Sequence, residues 1–424
     1  IDMSKYIFPE NFIFGTAVAS YQVEGNIYNN DWTHWENKNN SVCYEPCNEA
    51  CKHYELLDAD IALLVKLGIK AFRFSMEWSR IQPTENGFND DAIKHYVEKA
   101  HKLIDNNIIP IITFHHFTTL YWLEKYGYWE SSKTSDAFVK YVEKMMGELP
   151  QNIKYFNTIN EPGIFSMFGY FSKRKFPPGI RSEKVFIKAS DNIIDAHKRA
   201  LRVIKKLNPH SQVGMTHALH EWDDNDSSEF NRYLKYHLED KFFYASDEDD
   251  FIGLQTYSIK RTSPNIIYRS VAYLLIKIPF LRNNIFPIFL DVFSGRNDYV
   301  PSSSRITKMG YEYRPQAIKY NLKRIHDKFP DKDIFITENG IATDNDDERI
   351  EFVSSVLKDI HEYQQSNKRL IGYLYWSLLD NFEWDLGYNM NFGIVEVDKT
   401  TYNRKPHPSA HWFGKISSTN SFSD

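Results

Sequence analysis

Ile334-Phe335-Ile336-Thr337-Glu338-Asn339-Gly340 reads as a short buried strand that ends on a carboxylate. Three of its first four residues are apolar and the other is β-branched, which suits a strand covered on both faces. Asn339-Gly340 then turns the chain. Water is scarce at the tip of a buried strand, so an ionisable side chain there is expected to carry chemistry. Far upstream, Tyr155-Phe156-Asn157-Thr158-Ile159-Asn160-Glu161-Pro162 repeats the arrangement, with Pro162 ending the strand after Asn-Glu. Two strand-end carboxylates on one chain suggest an acid/base pair.

Working outward from these two stretches, short apolar runs recur, each followed by a longer amphipathic one. Strands are expected at residues 12–20, 70–75, 108–115, 154–159, 212–216, 251–257, 333–337 and 370–376. Helical spacing marks residues 58–67, 91–106, 135–147, 191–207, 314–329 and 349–365. In the second of these, Ile93, Tyr96, Val97, Ala100, Leu103 and Ile104 make one face. Eight strands alternating with helices point to an α/β fold, a single (β/α)8 TIM barrel over residues 1–424. The rival, an open doubly wound sheet, is weakened because no Gly-x-Gly-x-x-Gly follows the first strand. A barrel collects its chemistry at the C-terminal strand ends. Arg73, His115, His116, Asn160, Glu161, Tyr257, Glu338 and Trp376 fall there.

The 424 residues are 42% hydrophobic and 25% charged, with a net charge of −5 and no long basic run. Nucleic acid is therefore disfavoured as a partner. The aromatic share is 16%, which fits either an aromatic core or a carbohydrate site whose rings stack on sugar faces. No charged-then-apolar leader is visible, giving a cytoplasmic expectation, although Ile1 is not an initiator. Cys43, Cys47 and Cys51, four apart, lack a second ligand pair and read as structural thiols rather than a metal site. One segment departs from the alternation: an apolar insertion around residues 264–300, between strands six and seven. Its core, 266–293, carries Lys277, Arg282, Pro279 and Pro287, which argue against a membrane span. It is expected to be a helix and loop on the barrel, with an apolar wall or a lipid-facing surface as the alternative.

Several stretches together resemble glycoside hydrolase family 1, the β-glucosidase-like retaining β-glycosidases. They include Phe8-Pro9-Glu10-Asn11-Phe12, Gln22-Val23-Glu24-Gly25, Ala71-Phe72-Arg73-Phe74-Ser75, Thr113-Phe114-His115-His116 and Asn160-Glu161-Pro162. Thr337-Glu338-Asn339-Gly340, Tyr375-Trp376-Ser377 and Asn381-Phe382-Glu383-Trp384 continue the likeness, which runs through nearly the whole chain in the family's order. The resemblance implies Glu161 as general acid/base and Glu338 as nucleophile, about 5–5.5 Å apart in a retaining site. The nucleophile's charge is expected to raise the pKa of the acid. By the same likeness Arg73 and Tyr257 position the nucleophile. Gln22, His116 and Asn160 bind sugar hydroxyls, Trp376 is the platform under the ring, and Glu383 with Trp384 meets the 4- and 6-hydroxyls. No metal or organic cofactor is implied.

The activity so implied is retaining exo-hydrolysis of terminal β-D-glucosyl residues of O-glycosides, with tolerance for galactosyl or fucosyl. Glu383 would repel a 6-phosphate, and Asp385-Leu386-Gly387-Tyr388 supplies no Lys for one, so an unphosphorylated sugar is expected. Two departures stand out. Phe117-Thr118-Thr119 replaces the family's usual Trp-Asp-Leu, and Gln255-Thr256-Tyr257 replaces Asn-Tyr-Tyr. The alternatives are a transglycosidase or glycosidase acting on a lipid-like aglycone and, from another class, an inactive glycan-binding barrel.

Overall fold

The structure is a computed structural model, and it describes residues 5–171, 175–223, 228–261, 265–293 and 299–423. Eight parallel strands close a barrel in chain order. They are β1 (Ile13–Ala17), β2 (Ala71–Ser75), β3 (Ile109–His115), β4 (Tyr155–Asn160), β5 (Gln212–Ala218), β6 (Phe251–Gln255), β7 (Asp333–Asn339) and β8 (Leu370–Trp376). Pairing of Gly372 with Ile13 through Trp376 with Ala17 joins β8 to β1 and completes the ring.

The barrel interior explains where the chemistry sits. Ile13, Ala71, Ile111, Tyr155, Phe251 and Phe335, in the first halves of their strands, cluster with Leu374 of β8 into an apolar plug. Side chains two residues further along a strand share its face. On β2 that position is Arg73, buried at the same interior. The interior therefore changes from apolar to polar towards the C-terminal ends.

Around the barrel lie α1 (Leu57–Leu67), α2 (Asp90–Asp105), α3 (Ser132–Glu148), α4 (Glu183–Leu207), α5 (Glu229–Lys235), α6 (Ile266–Lys277), α7 (Pro279–Asn284), α8 (Phe286–Phe293), α9 (Ala317–Lys328), α10 (Asp346–Ser366) and α11 (Pro408–Thr419). Side chains of Asn89, Ser131, Ser182 and Asn345 cap α2, α3, α4 and α10 by accepting from first-turn amides. Ser182 starts α4 well before the residue 191 expected from periodicity. Its first turns bury Glu183, which pairs with Tyr233 of α5 and Arg282 of α7, and Phe186, which extends the apolar stripe toward the N-terminus.

The strand expected at 12–20 ends at Ala17, because residues 20–24 coil into a short helix. The strand expected at 251–257 ends at Gln255, leaving Tyr257 on the loop beyond it. The expected helix and loop after β6 is three helices, α6 to α8. One face buries Ala272, Leu275, Ile276, Phe286 and Phe289. Arg282 pairs with Glu183 at the start of α4. Ile266, Ile267, Leu274 and Phe280 stay more than half exposed on the other side. Among the described residues no helix is long and apolar enough to cross a membrane.

Candidate active site

Glu161 and Glu338 both sit where a strand breaks register. The β4–β5 ladder shifts between Asn157 and Asn160, and the β7–β6 ladder shifts between Ile336 and Glu338. Such irregularities re-aim side chains at a barrel rim. Glu161 takes left-handed backbone angles, φ 41° and ψ 58°, immediately before Pro162 opens a short helix. That conformation costs a non-glycine residue about 1–2 kcal/mol. Its amide still donates to Thr216 O at 2.9 Å, which anchors the turn to β5. Beyond Glu338, a Cβ on Gly340 would lie 2.0 Å from the Trp376 carbonyl oxygen, so only glycine lets the β7 end pass β8 so closely.

Both oxygens of Glu338 are held. Arg73 Nη1 donates to Oε1 at 2.5 Å and Gln255 Nε2 at 2.9 Å, while Tyr257 Oη donates to Oε2 at 2.8 Å. Arg73 is itself fixed through Nε to Thr113 Oγ1 at 3.0 Å and Asn157 Oδ1 at 3.2 Å. Its Nη2 reaches Asn160 Oδ1 at 2.6 Å, so one guanidinium links both carboxylate-bearing strand ends. Asn160 Oδ1 also accepts from Gln255 Nε2 at 2.8 Å and Thr216 Oγ1 at 2.9 Å. With its oxygen saturated, Asn160 offers only N–H groups to its surroundings. One points at His116 Nε2, 3.2 Å away, which makes that nitrogen the acceptor and puts the imidazole proton on Nδ1. Burial, then the nearby Arg73 charge, holds His116 well below its usual pKa and therefore neutral.

The two carboxyls differ in surroundings. Glu161 is partly exposed and accepts no hydrogen bond from the described residues. Burial foremost, then the negative charge of Glu338, pushes its pKa well above the usual carboxylate range, with Arg73 opposing. The sequence assigned that rise to the neighbouring charge; desolvation is the larger cause. Burial also lifts Glu338, but Arg73, Tyr257 and Gln255 pull it back. Of two coupled carboxyls the proton belongs on the one without donors, Glu161. The site thus holds a carboxylic acid and a clamped carboxylate side by side in chemistry.

The remaining expected residues ring this pair. Gln22 Nε2 donates to Phe382 O at 2.7 Å and Asn381 Oδ1 at 3.1 Å, and lies 3.4 Å from Glu383 Oε2. It therefore ties the short helix after β1 to the loop that carries Glu383. Trp376 ends β8 with its ring parallel to His116, centroids 6.0 Å apart. Trp384 is buried in an aromatic wall, parallel to Tyr21 and 4.6 Å from Trp32 between centroids. Phe117 joins that wall at 4.9 Å from Trp384, and Thr118 Oγ1 donates to the buried Glu77.

Gln255 was noticed in the sequence only as a departure. The structure makes it a second donor to both Glu338 and Asn160. Asn339 is a further supporting residue: its Nδ2 donates to Thr256 O at 2.7 Å and fastens β7 to the loop of Tyr257. Cys43, Cys47 and Cys51 lie outside any helix, and none forms a disulfide among the described residues. Cys47 Sγ donates to Tyr21 O and Cys51 Sγ to Asp380 O, the bonds of packed structural thiols. Among the described residues no group of three His, Cys, Asp or Glu side chains could hold a metal ion.

The family model described as glycosyl hydrolase family 1 matches residues 4–245 and 234–422. Beta-glucosidase A of Acetivibrio thermocellus is 29% identical, the match covering 99% of this chain and 100% of the relative. A 6-phospho-beta-galactosidase of Staphylococcus aureus is 28% identical over 97% of this chain and 98% of its own. The solved structure of a beta-glycosidase from Pyrococcus horikoshii superposes with a TM-score of 0.85 and 31% identity, covering 99% of this chain and 97% of that one.

Proposed function

The chain belongs to glycosyl hydrolase family 1, and from that premise we propose how its residues perform the family's reaction. The protein is a β-glycosidase that hydrolyses glucosides with retention. Glu338 is the nucleophile, and the observation that carries this reading is its clamp of three donors on two oxygens. Donors on a carboxylate keep it ionised and aim it. Its Oε attacks the anomeric carbon while Glu161 gives its proton to the leaving oxygen. The C–O bond to the aglycone breaks as the glycosyl ester forms. Glu161, now a carboxylate, takes a proton from water, whose oxygen attacks the same carbon and releases Glu338. Arg73, Tyr257 and Gln255 position Glu338. Asn160 donates to the 2-hydroxyl, Trp376 lies under the ring, and Gln22, His116, Glu383 and Trp384 line the rest of the subsite.

Glu383 supports an unphosphorylated glucoside as substrate, since a phosphate dianion beside a carboxylate is repelled. A panel of aryl β-glycosides tests this. Glucoside turnover is expected to exceed 6-phosphoglucoside turnover by at least tenfold, and the reverse order would sink the assignment. A second reading concerns the aglycone. The exposed Ile266, Ile267, Leu274 and Phe280 of α6 and α7 support a lipid-like aglycone or acceptor. Adding a long-chain alcohol would then yield its glucoside, whereas free glucose as the sole product would dismiss transfer.

A further inference from the structure

Beside the sugar subsite, on the same barrel face, lies a second cleft of about 580 Å³. That is within the range of about 300–1,000 Å³ typical of small-ligand sites. Its walls come from loops that follow β1, β3 and β4, all at the C-terminal end of the barrel. It is separate from the carboxylate pair. Asp31 and Pro177, which line it, are chain neighbours of Trp32 and Phe176. Those two rings pack 4.9 Å apart and back Trp384, so the aromatic wall stands between the cleft and the subsite.

The chemistry of the cleft is specific. His34 and Tyr121 stack face to face, centroids 3.4 Å apart, so each ring covers one face of the other and steadies it. Tyr28, 65% exposed, adds a third ring, steadied by its hydroxyl on Asn26 Oδ1 at 3.2 Å. Asn29, Thr33 and Asn37 also line the cleft; the Thr33 hydroxyl already donates to Ile27 O at 2.8 Å, and Asn37 Nδ2 donates to Thr33 O at 2.8 Å. Among the described lining residues the cation is Lys38, which lies over the Trp35 ring, against the acids Asp31 and Glu124. Such a balance disfavours a phosphate or carboxylate ligand. Aromatic side chains beside the amides of Asn29 and Asn37 match a neutral pyranose, whose C–H face stacks while its hydroxyls hydrogen-bond.

We propose that this cleft is a second, non-catalytic binding site for a neutral pyranose unit. The inference does not rest on the roles given to Glu161 and Glu338. The sugar could be a free monosaccharide or a distal unit of an oligosaccharide, and the test separates the two.

Affinities of glucose and of cellotetraose are measured by saturation-transfer NMR on the intact chain with Glu338→Gln added throughout, so that cellotetraose is not cleaved, and turnover is measured without that change. The wild type is compared with Tyr28→Ala/Tyr121→Ala and with the ring-preserving Tyr121→Phe. Loss of the stacked rings is expected to weaken binding about threefold to tenfold, while Tyr121→Phe and aryl β-glucoside turnover stay within twofold of wild type. Weakening of cellotetraose alone identifies a distal unit, and weakening of glucose as well identifies a free monosaccharide. Unchanged affinity for both sugars overturns the proposal. So does an equal loss of aryl β-glucoside turnover, which would make the cleft part of the catalytic subsite.

Discussion

Replacing Tyr257 by Phe isolates one strand of the clamp on Glu338. Among the described residues the Tyr257 hydroxyl is the donor to Oε2, whereas Oε1 has both Arg73 and Gln255. Phe keeps the ring and its edge-on packing against Phe392, 5.9 Å between centroids, so the change is confined to one O–H. A hydrogen bond to a charged group contributes about 1.5–3 kcal/mol. If that bond steadies the attacking carboxylate, kcat/KM should fall about 10- to 150-fold. The pH profile carries the sharper signature. A donor stabilises the ionised form, so its removal raises the pKa of Glu338. Less nucleophile is then ionised at a given acidity, and the acid limb of kcat/KM must move to higher pH. The assay is kcat/KM for an aryl β-glucoside across the acid range. An acid limb that stays in place or moves down, with kcat/KM within twofold of wild type, would refute the reasoning.

Two other variants probe the rest of the constellation. Glu161→Gln should lower turnover of a glucoside with a poor leaving group by about 10²–10⁴, less for a dinitrophenyl glucoside, and abolish the alkaline limb. The same variant should melt higher than wild type near pH 7. Its native pKa is raised by burial, so ionisation penalises the fold increasingly above the unfolded value of about 4.3, and the difference should vanish below it. Arg73→Met leaves Glu338 charged and buried without its cation. It should cost about 3–5 kcal/mol of stability in urea titrations, together with most activity, and a loss under 1 kcal/mol would contradict the buried-pair account.

The fold was legible because each strand is a compact apolar run and each intervening helix carries a periodic stripe. Glu161 and Glu338 stood out in the sequence as candidates because a carboxylate closing a buried strand has few structural reasons to be there. Gln255 was not. An amide at a strand end looks the same whether it satisfies a core carbonyl or holds a buried carboxylate, and only the pairing of Gln255 with Glu338 across β6 and β7 separates these. Trp384 likewise gave no sign of its burial, since its wall of Tyr21, Trp32, Phe117 and Phe176 is assembled from three distant loops. The outward apolar face of α6 was foreseen only as an alternative. A helix that is apolar on most sides does not announce which side meets the barrel.

Everything here turns on Glu338 becoming covalently glycosylated. A 2-fluoro glucoside with an activated leaving group slows both steps but lets the first outrun the second, so the intermediate accumulates. Peptide mass spectrometry after brief incubation should find one fluoroglucosyl adduct, on Glu338, formed together with loss of activity. An adduct on Glu161 or elsewhere, or inactivation without any adduct, would contradict the account.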